Sequence, residues 1–343
     1  MSLARTNFLR GLIVVVSLYV SYQASSVFLP LILSLVIAFI LNPFVNGLST
    51  FLSSRRRKFP RSLAVIITMA ISFLLFFSII SFIFLPFVNE FNKFVQNLPL
   101  IFEQLHTLAL VVGERANNVD IPSNVRNIID QGLSSATAFS IDFAKRTVVT
   151  VFSIASHVVE LVVIPVLVYY FLKDGCAMEQ AIIHLFTPGY RTLVQSILQE
   201  MAATIGAYLH GQVLISVIMG ITVFCGLYWL DVDYPLVIAL LAFLTETIPI
   251  IGPIIGAVPA VLLAYLISPE LAMKVTIFYV VVHQLDSHVI VPNIMGHTIA
   301  LHPVVVIISV LVASQLFGII GMMMAVPVAA LLRVFIRHLQ IVG

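Results

Sequence analysis

The sequence predicts an all-α membrane protein with about eight transmembrane segments, broken or re-entrant helices in the C-terminal half, and a small helical extracytoplasmic insert. Of its 343 residues, 61% are hydrophobic and only 9% are charged, whereas soluble domains carry about 25% charged residues. Apolar stretches of about 18 residues or more recur along the chain, and a membrane-spanning helix needs that length. The short alternating segments of a transmembrane barrel do not occur in the sequence.

The predicted crossings follow the hydrophobic segments, which are residues 8–23, 25–46, 62–88, 147–172, 206–230, 235–267, 271–291 and 303–332. The first segment lacks a convincing small-residue cleavage site, so we expect it to be retained as a helix. The densest basic stretch is RRRKFPR at 55–61, and short basic loops stay in the cytoplasm. Two crossings precede this loop, and eight crossings in total would leave both the N- and the C-terminus in the cytoplasm.

Changes in polarity along the chain predict its domain organisation. We expect N-terminal transmembrane helices 1–3 in residues 1–88, an extracytoplasmic helical insert in 89–146, transmembrane helix 4 in 147–172, a cytoplasmic amphipathic segment in 173–205, and a C-terminal transmembrane core in 206–343. Within the insert, apolar residues from Phe91 to Val112 recur at spacings of four and three, which indicates a helical stripe. This stripe would pack on the chain's own membrane helices or against a second copy.

The sixth segment, residues 235–267, is too long for a straight crossing. At 1.5 Å per residue it would extend about 48 Å, against about 30 Å of hydrocarbon. It is interrupted near its middle by helix breakers, which are Pro249, Gly252, Pro253, Gly256 and Pro259. The segment therefore either breaks while crossing or turns back as a hairpin, and both leave backbone polar groups that must face protein or water. The last segment repeats the feature at Gly318, Gly321 and Pro327, and paired interruptions are typical of a transporter's substrate site.

Glu246 is the first candidate for a chemical role. An ionisable residue inside an apolar segment is costly unless it faces a cavity or a partner, so a functional role is the default interpretation. The alternative is a carboxyl group that stays protonated, or one that is hydrogen-bonded to Thr245, Thr247 or freed backbone amides. Both interpretations stay open at the level of the sequence.

The second candidate is the histidine-rich stretch at 283–303. At 100° per residue, His283 and Asp286 share one helix face, whereas His288 falls nearly opposite Asp286. One helix cannot direct all three at one ion, so the spacing does not predict a metal site. His283 and Asp286 would form a proton or cation relay, or a polar cluster that fixes helix packing. We also find no phosphate-binding loop or other cofactor motif, and a net charge of +2 gives no reason to expect nucleic acid.

These stretches resemble the C-terminal signature of the autoinducer-2 exporter family of bacterial membrane proteins. The signature comprises FLTETIPIIGPIIGAVPA at 243–260 and HQLDSHVIVPNIMG at 283–296 with the apolar run that follows it. Supporting pieces occur in order, namely FILNPFVNGL at 39–48, YYFLKDG at 169–175 and YLHGQVLISVIMG at 208–220. The resemblance implies about eight spans, an insert after the third, and export of small molecules, autoinducer-2 among them. Some members are instead assigned Na⁺(Li⁺)/H⁺ antiport.

The resemblance also implies particular site residues in the broken segment and after it. The family's Pro-x-x-Gly-Pro element falls on Pro249, Gly252 and Pro253. Its Gln-x-acid element falls on Gln284 and Asp286, where glutamate is more usual.

A third family element, Pro-x-Ile-Met-Gly, falls on the residues from Pro292 to Gly296. A basic residue is common directly after this proline, and the chain has Asn293 there. The departure weakens any expectation of an anionic substrate or of an ion pair at this point.

We therefore predict a secondary transporter that exports small polar molecules, autoinducer-2-like signals included, across the bacterial inner membrane. The predicted pathway comprises Glu246, Pro249, Gly252, Pro253, Gly256, His283, Gln284, Asp286, Pro292, Asn293 and Gly296. Glu246 and Asp286 would be coupling or gating carboxylates. The expected partners are the lipid bilayer, a small solute, H⁺ or Na⁺, and further copies of the chain. The alternatives are a Na⁺(Li⁺)/H⁺ antiporter, an intramembrane metal-dependent hydrolase, and a non-transporting membrane scaffold.

Overall fold

The computed structural model of the chain describes residues 25–53, 60–117, 158–249, 251–296 and 301–342. In these ranges the chain is helical and contains no strand, which confirms the all-α class. Five of the described helical stretches are long and apolar enough to cross a membrane, namely Pro30–Leu52, Arg61–Asn97, Pro188–Trp229, Pro269–Met295 and Pro303–His338. The predicted first segment, the second half of the insert and the start of the fourth segment lie outside the described residues.

One compact unit comprises residues 1–73 and 154–185. It contains helix α1 (Ser25–Leu52), the beginning of helix α2 (Arg61–Asn117) and helix α3 (Val158–His184). Its buried core consists of Ala38, Val45, Ala64, Val65, Val168 and Leu172. Arg61 joins these helices at one end, because its Nε donates to the carbonyl oxygen of Leu172 at 2.8 Å and its Nη2 to Oδ1 of Asn42 at 3.4 Å.

The second unit comprises residues 74–153 and 186–343. After a short 3₁₀ turn at Pro188–Tyr190, its elements are α4 (Arg191–Trp229), α5 (Pro235–Thr245), α6 (Ile251–Ile267), α7 (Pro269–Leu285), a π-helical turn (Asp286–Ile290), α8 (Val291–Met295) and α9 (Pro303–Val342). One buried apolar cluster joins α4, α5, α6 and α7, and it includes Val223, Leu227, Ile238, Ala260, Leu263 and Val275. This cluster surrounds the interrupted segment.

Helices α5 and α6 form an antiparallel hairpin. A Cβ atom placed on Gly256 of α6 would lie 3.3 Å from Cα of Ala242 in α5, although 14 residues separate the two in sequence. The arms have 11 and 17 residues, or about 16 and 26 Å of helix. Each is shorter than the roughly 30 Å of a hydrocarbon core. The structure therefore decides the choice that the sequence left open, since segment 235–267 reverses instead of continuing.

Helix α9 contains a second sharp bend. Gly318 has φ 60° and ψ −140°, which is not a helical conformation. A Cβ atom on Gly321 would lie 2.2 Å from the carbonyl oxygen of Ala313, whereas residues eight apart in a straight helix are separated by about 12 Å along its axis. The interruption predicted at Gly318 and Gly321 is thus a fold-back, and Pro327 lies in the helical arm that follows it.

Two predicted domain boundaries fall inside continuous helices. Helix α2 runs unbroken through position 89, where the insert was expected to begin, and α4 runs unbroken through position 206. At both places the polarity of the sequence changes, but the backbone hydrogen bonds of the helix continue. The change in polarity therefore does not mark the end of a helix. Helix α2 has 57 residues and is about 86 Å long, so it extends well beyond a bilayer.

Candidate functional site

Helix α4 is the element against which the site is assembled. A Cβ atom on Gly226 would overlap the ring of Phe278 in α7, and one on Gly211 would lie 3.3 Å from Cγ of Met295 in α8. The later residue of α4, Gly226, contacts the earlier residue of the α7–α8 segment, Phe278. Helices α7 and α8 therefore run antiparallel to α4. Helix α5 is also antiparallel to α4, because Gly220 lies against Phe243 while the earlier residue Gln212 bonds to the later residue Glu246. These registers bring the tip of the α5–α6 hairpin and the end of α7 to the same level on α4.

The hairpin tip is held by its own backbone and by one side chain of α4. The amide of Glu246 donates to the carbonyl oxygen of Ala242 at 2.9 Å, and the amide of Gly252 donates to that of Ile248 at 2.9 Å. Nε2 of Gln212 donates to the carbonyl oxygen of Glu246 at 2.8 Å. A carbonyl group freed by the helix break therefore has a side-chain partner, as backbone at membrane depth requires.

The site contains two buried carboxyl groups. That of Glu246 lies at the hairpin tip, and that of Asp286 lies opposite it. The side chains of Glu246 and Asp286 are only 8% and 6% exposed, and their charges are close enough to interact. His283 is within electrostatic range of Asp286, as expected from their predicted position on one helix face. The interrupted segment and the histidine-rich stretch, which the sequence treats as separate candidates, therefore contribute to one site.

A π-helical turn positions Asp286. The turn covers Asp286–Ile290 and follows α7 directly, and among its residues only Asp286 is buried. Such turns occur as isolated insertions in helices, often at functional sites, because the extra residue changes the direction in which the following side chains point. Here the chain passes from the face of α7 that carries His283 to the short helix α8, which contacts α4.

Several buried polar atoms around the site have no hydrogen-bond partner within the described part of the chain. They are the hydroxyl groups of Tyr208 and Ser216, Nε2 of His283 and Oδ1 of Asp286. Tyr208, Gln212 and Ser216 follow each other at intervals of four, so they share one face of α4. An unpaired buried polar group costs about 1–3 kcal/mol, which makes this concentration of them suited to a polar solute or to water.

Tyr208, Gln212 and Ser216 are not among the site residues that the sequence predicts. A signal for them is present, since YLHGQVLIS at 208–216 repeats a polar residue every fourth position within an apolar helix. That spacing alone does not reveal which neighbour the polar face contacts. The contact of Gln212 with the hairpin tip supplies this information.

Other predicted residues lie away from the carboxyl groups. Gln284 is exposed, as are Pro292, Asn293 and Gly296. Pro249 and Pro253 are half-buried in the hairpin, and Gly256 is buried against Ala242. The structure therefore groups Glu246, His283 and Asp286 and separates Gln284, Pro292, Asn293 and Gly296 from them.

The described residues also bear on metal binding and on charge. Within the described ranges, no three His, Cys, Asp or Glu side chains form a group that could hold a metal ion. His297 lies outside the described residues.

The sequence has no Lys or Arg between Arg191 and Lys274, or between Lys274 and Arg333. Lys274 of α7 is exposed and pairs with Glu270 at 2.7 Å, so the site itself presents carboxyl and imidazole groups, which disfavours an anionic ligand.

Replacing Gln212 by leucine is expected to lower the free energy of unfolding by about 1 kcal/mol, because the bond to the carbonyl oxygen of Glu246 is lost. Gln284→Leu is the matched control, since Gln284 is an exposed glutamine. Thermal unfolding of the purified chain in detergent measures both variants. Equal midpoints for the two variants would contradict the assigned role of Gln212.

Comparison with known proteins covers nearly the whole chain. A family model described as "AI-2E family transporter" matches residues 12–341. The chain is 27% identical over 317 residues to "Putative transport protein YrrI" of Bacillus subtilis (strain 168), which covers 91% of this chain and 86% of that protein. It is 26% identical over 326 residues to "Putative permease PerM" of Escherichia coli (strain K12), with 91% and 87% covered. Both α4 and the hairpin fall within the range that the family model matches.

Proposed function

The chain belongs to the AI-2E transporter family and is a multi-pass membrane transporter, and from this premise we propose that it exports small polar molecules across the bacterial inner membrane. The proposed site lies between Gln212 and Ser216 of α4, the hairpin tip at Glu246, and Asp286 in the π-helical turn. Transport proceeds by alternating access, in which the solute reaches this site from one side of the membrane at a time.

The observation that carries this proposal is the helical hairpin whose tip meets α4 beside two buried carboxyl groups. At the tip, α5 ends at Thr245 and α6 begins at Ile251, so the end of one helix lies close to the start of another. Helix ends carry partial charges and unpaired backbone groups. In transporters, such interrupted helices bind polar solutes and ions near the middle of the membrane.

The proposed solute is small, polar and not anionic. The hydroxyl groups of Tyr208 and Ser216 and the carboxyl group of Asp286 offer hydrogen-bond partners to a ligand. The lysine of α7, Lys274, is exposed and pairs with Glu270, so an anion at the site would face Glu246 and Asp286 without a compensating cation. Autoinducer-2-like signals that carry several hydroxyl groups fit this chemistry. The driving force is the proton gradient or the solute's own gradient.

A second candidate function is Na⁺(Li⁺)/H⁺ antiport. The observation that favours it is the pair of interacting carboxyl groups, Glu246 and Asp286. Carboxylate and carbonyl oxygens are suitable ligands for small hard cations, and the hairpin tip supplies both. Dye-reported proton movement after addition of Na⁺ to sealed vesicles distinguishes this function from solute export.

We also propose six complete crossings and two re-entrant hairpins. Segments 235–267 and 303–332 each return to the side from which they start, and removing two crossings keeps the total even. Both termini then lie in the cytoplasm, where Arg333 and Arg337 are favoured. In support, Arg337 pairs with Glu200 near the amino-terminal end of α4. A fluorescent protein fused to the C-terminus should be fluorescent and an alkaline phosphatase fusion inactive, and the reverse result would contradict this topology.

The export proposal is tested by comparing metabolites released by cells. The wild-type chain, a Glu246→Gln variant and an empty vector are expressed in a bacterial strain that lacks its own members of the family. Mass spectrometry of medium and cells, with an autoinducer-2 reporter assay, measures the released compounds. We expect at least one small polar compound to leave the cells faster with the wild-type chain only. Identical release profiles in all three strains would disprove export.

A further inference from the structure

The base of the α5–α6 hairpin is attached to helix α2. Helix α5 begins after Tyr234, whose backbone is left-handed with φ 57° and ψ 46°. Pro235 has no amide hydrogen, so the first amides of α5 that can donate are those of Leu236 and Val237. Both donate to Oε2 of Glu90 in α2, at 3.0 and 3.3 Å. Glu90 thus provides the cap that no side chain of α5 itself supplies.

Two more residues of α2 hold the same point. The rings of Phe94 and Tyr234 pack edge to face with centroids 5.3 Å apart. Nδ2 of Asn97 donates to the hydroxyl oxygen of Tyr234 at 2.7 Å. Glu90, Phe94 and Asn97 follow at spacings of four and three and therefore lie on one face of α2. This face is displaced by one residue from the apolar stripe that the sequence predicts to begin at Phe91.

The cap at Glu90 is electrostatically matched to its position. The start of a helix carries a partial positive charge and unpaired amides, so a carboxylate there is favoured. Hydrogen bonds to an ionised acceptor are about twice as strong as those between neutral groups. The hairpin's other contacts, with α4 and α7, are mainly apolar. The bonds to Glu90 therefore fix the direction in which α5 leaves its base.

The direction of α5 determines where Glu246 lies. With 11 residues, α5 is about 16 Å long, so a tilt of about 10° at its base moves its far end by about 3 Å. That displacement equals the length of the hydrogen bond between Gln212 and the carbonyl oxygen of Glu246, which is 2.8 Å. A tilt of this size at the base would therefore separate the tip from α4.

We propose that Glu90 is a positioning residue of this transporter, which holds the hairpin base so that the tip stays against Gln212 and Asp286. The inference rests on the proposed function, because it assigns Glu90 an effect on transport through the tip. Within the described part of the chain, the carboxylate of Glu90 bonds to the amides of Leu236 and Val237, which lie at the opposite end of α5 from Glu246.

The first measurement is hydrogen exchange of the full chain in lipid nanodiscs. We compare Glu90→Ala, which removes the acceptor, with Glu90→Gln, which keeps an oxygen but removes the charge. Glu103→Gln is the control, since Glu103 is an exposed carboxylate on the same helix. In Glu90→Ala we expect at least about tenfold faster exchange at the amides of Leu236 and Val237 and also faster exchange at the tip, residues 246–252. The Glu90→Gln variant should lie between this variant and the wild type.

The second measurement is the release of autoinducer-2 by the same variants, with Glu246→Gln as a reference. We expect release to fall about tenfold in Glu90→Ala and by less in Glu90→Gln, and to stay at the wild-type rate in Glu103→Gln. Should Glu90→Ala not yield folded protein, the near-isosteric Glu90→Gln variant is used alone, with the same expected direction.

The outcomes separate this inference from the function on which it rests. Faster exchange only at Leu236 and Val237, with an unchanged tip and unchanged release, would make Glu90 a local cap and overturn the inference. Loss of release in Glu246→Gln together with normal release in the Glu90 variants would overturn it while leaving the proposed function intact. Normal release in Glu246→Gln would reject the proposed function itself, and exchange at the tip would still decide the role of Glu90.

Discussion

Replacing Glu246 by glutamine reduces transport at least about tenfold and leaves the chain folded, because the amide has almost the same shape but cannot carry the charge or the proton. Glu246 lies in an otherwise apolar hairpin, where it is buried and within electrostatic range of Asp286. Ionisable residues within membrane segments are commonly part of substrate, ion or proton pathways. The measurement is solute release from cells or proteoliposomes at equal amounts of protein.

Asp286→Asn has the same expected effect, and the double variant is the most informative comparison. If the two carboxyl groups act as one unit, replacing both reduces transport no further than replacing either one, since effects of interacting residues are not additive. Glu270→Gln, in the adjoining helix α7, is the control, because Glu270 is exposed and forms its ion pair with Lys274 at 2.7 Å. Full transport in the Glu246→Gln and Asp286→Asn variants would remove both carboxyl groups from the mechanism.

Replacing Gly252 by alanine has the largest expected effect on stability. A Cβ atom at this position would lie 1.9 Å from the carbonyl oxygen of Thr245, and neither of these backbone segments can move without opening the hairpin tip. Overpacking usually costs about 1–3 kcal/mol, and a clash with backbone lies at the upper end of that range. We expect a much lower yield of monodisperse protein and a lower melting temperature, measured by size-exclusion chromatography and thermal unfolding.

Two further glycine substitutions provide a second test and a control for this prediction. Gly321→Ala should be destabilising for the same reason, because its Cβ atom would lie 2.2 Å from the carbonyl oxygen of Ala313 at the fold-back of α9. Gly175→Ala is the control, since no atom lies within 4 Å of the added Cβ. Equal stability of Gly252→Ala and Gly175→Ala would contradict the close contact between Gly252 and Thr245 at the hairpin tip.

The sequence predicts the helical class and the position of both interruptions because these depend on local properties, namely hydropathy and the residues that break helices. Pro249 lies in the turn between α5 and α6 and Gly318 at the bend of α9, so these residue types locate both breaks without any knowledge of their neighbours. Whether segment 235–267 continues or reverses is a different question. It depends on contacts such as that between Gly256 and Ala242, and these have no signal in the order of apolar residues.

The candidate site could be predicted only in part for a similar reason. Glu246, His283 and Asp286 stand out because they are ionisable residues in apolar surroundings. Gln212 and Glu90 act through bonds to backbone atoms of distant residues, so their residue type alone does not identify them. The π-helical turn at Asp286–Ile290 was also not predictable, because its sequence fits an ordinary helix.

The long helix α2 has a mechanical consequence that follows from Pro86 and Pro99. A proline inside a helix removes one backbone hydrogen bond, and helices bend most easily at such positions. The two prolines lie on either side of Glu90, Phe94 and Asn97. Bending of α2 at either proline would therefore shift this face relative to Tyr234 while the backbone between the two prolines stays helical.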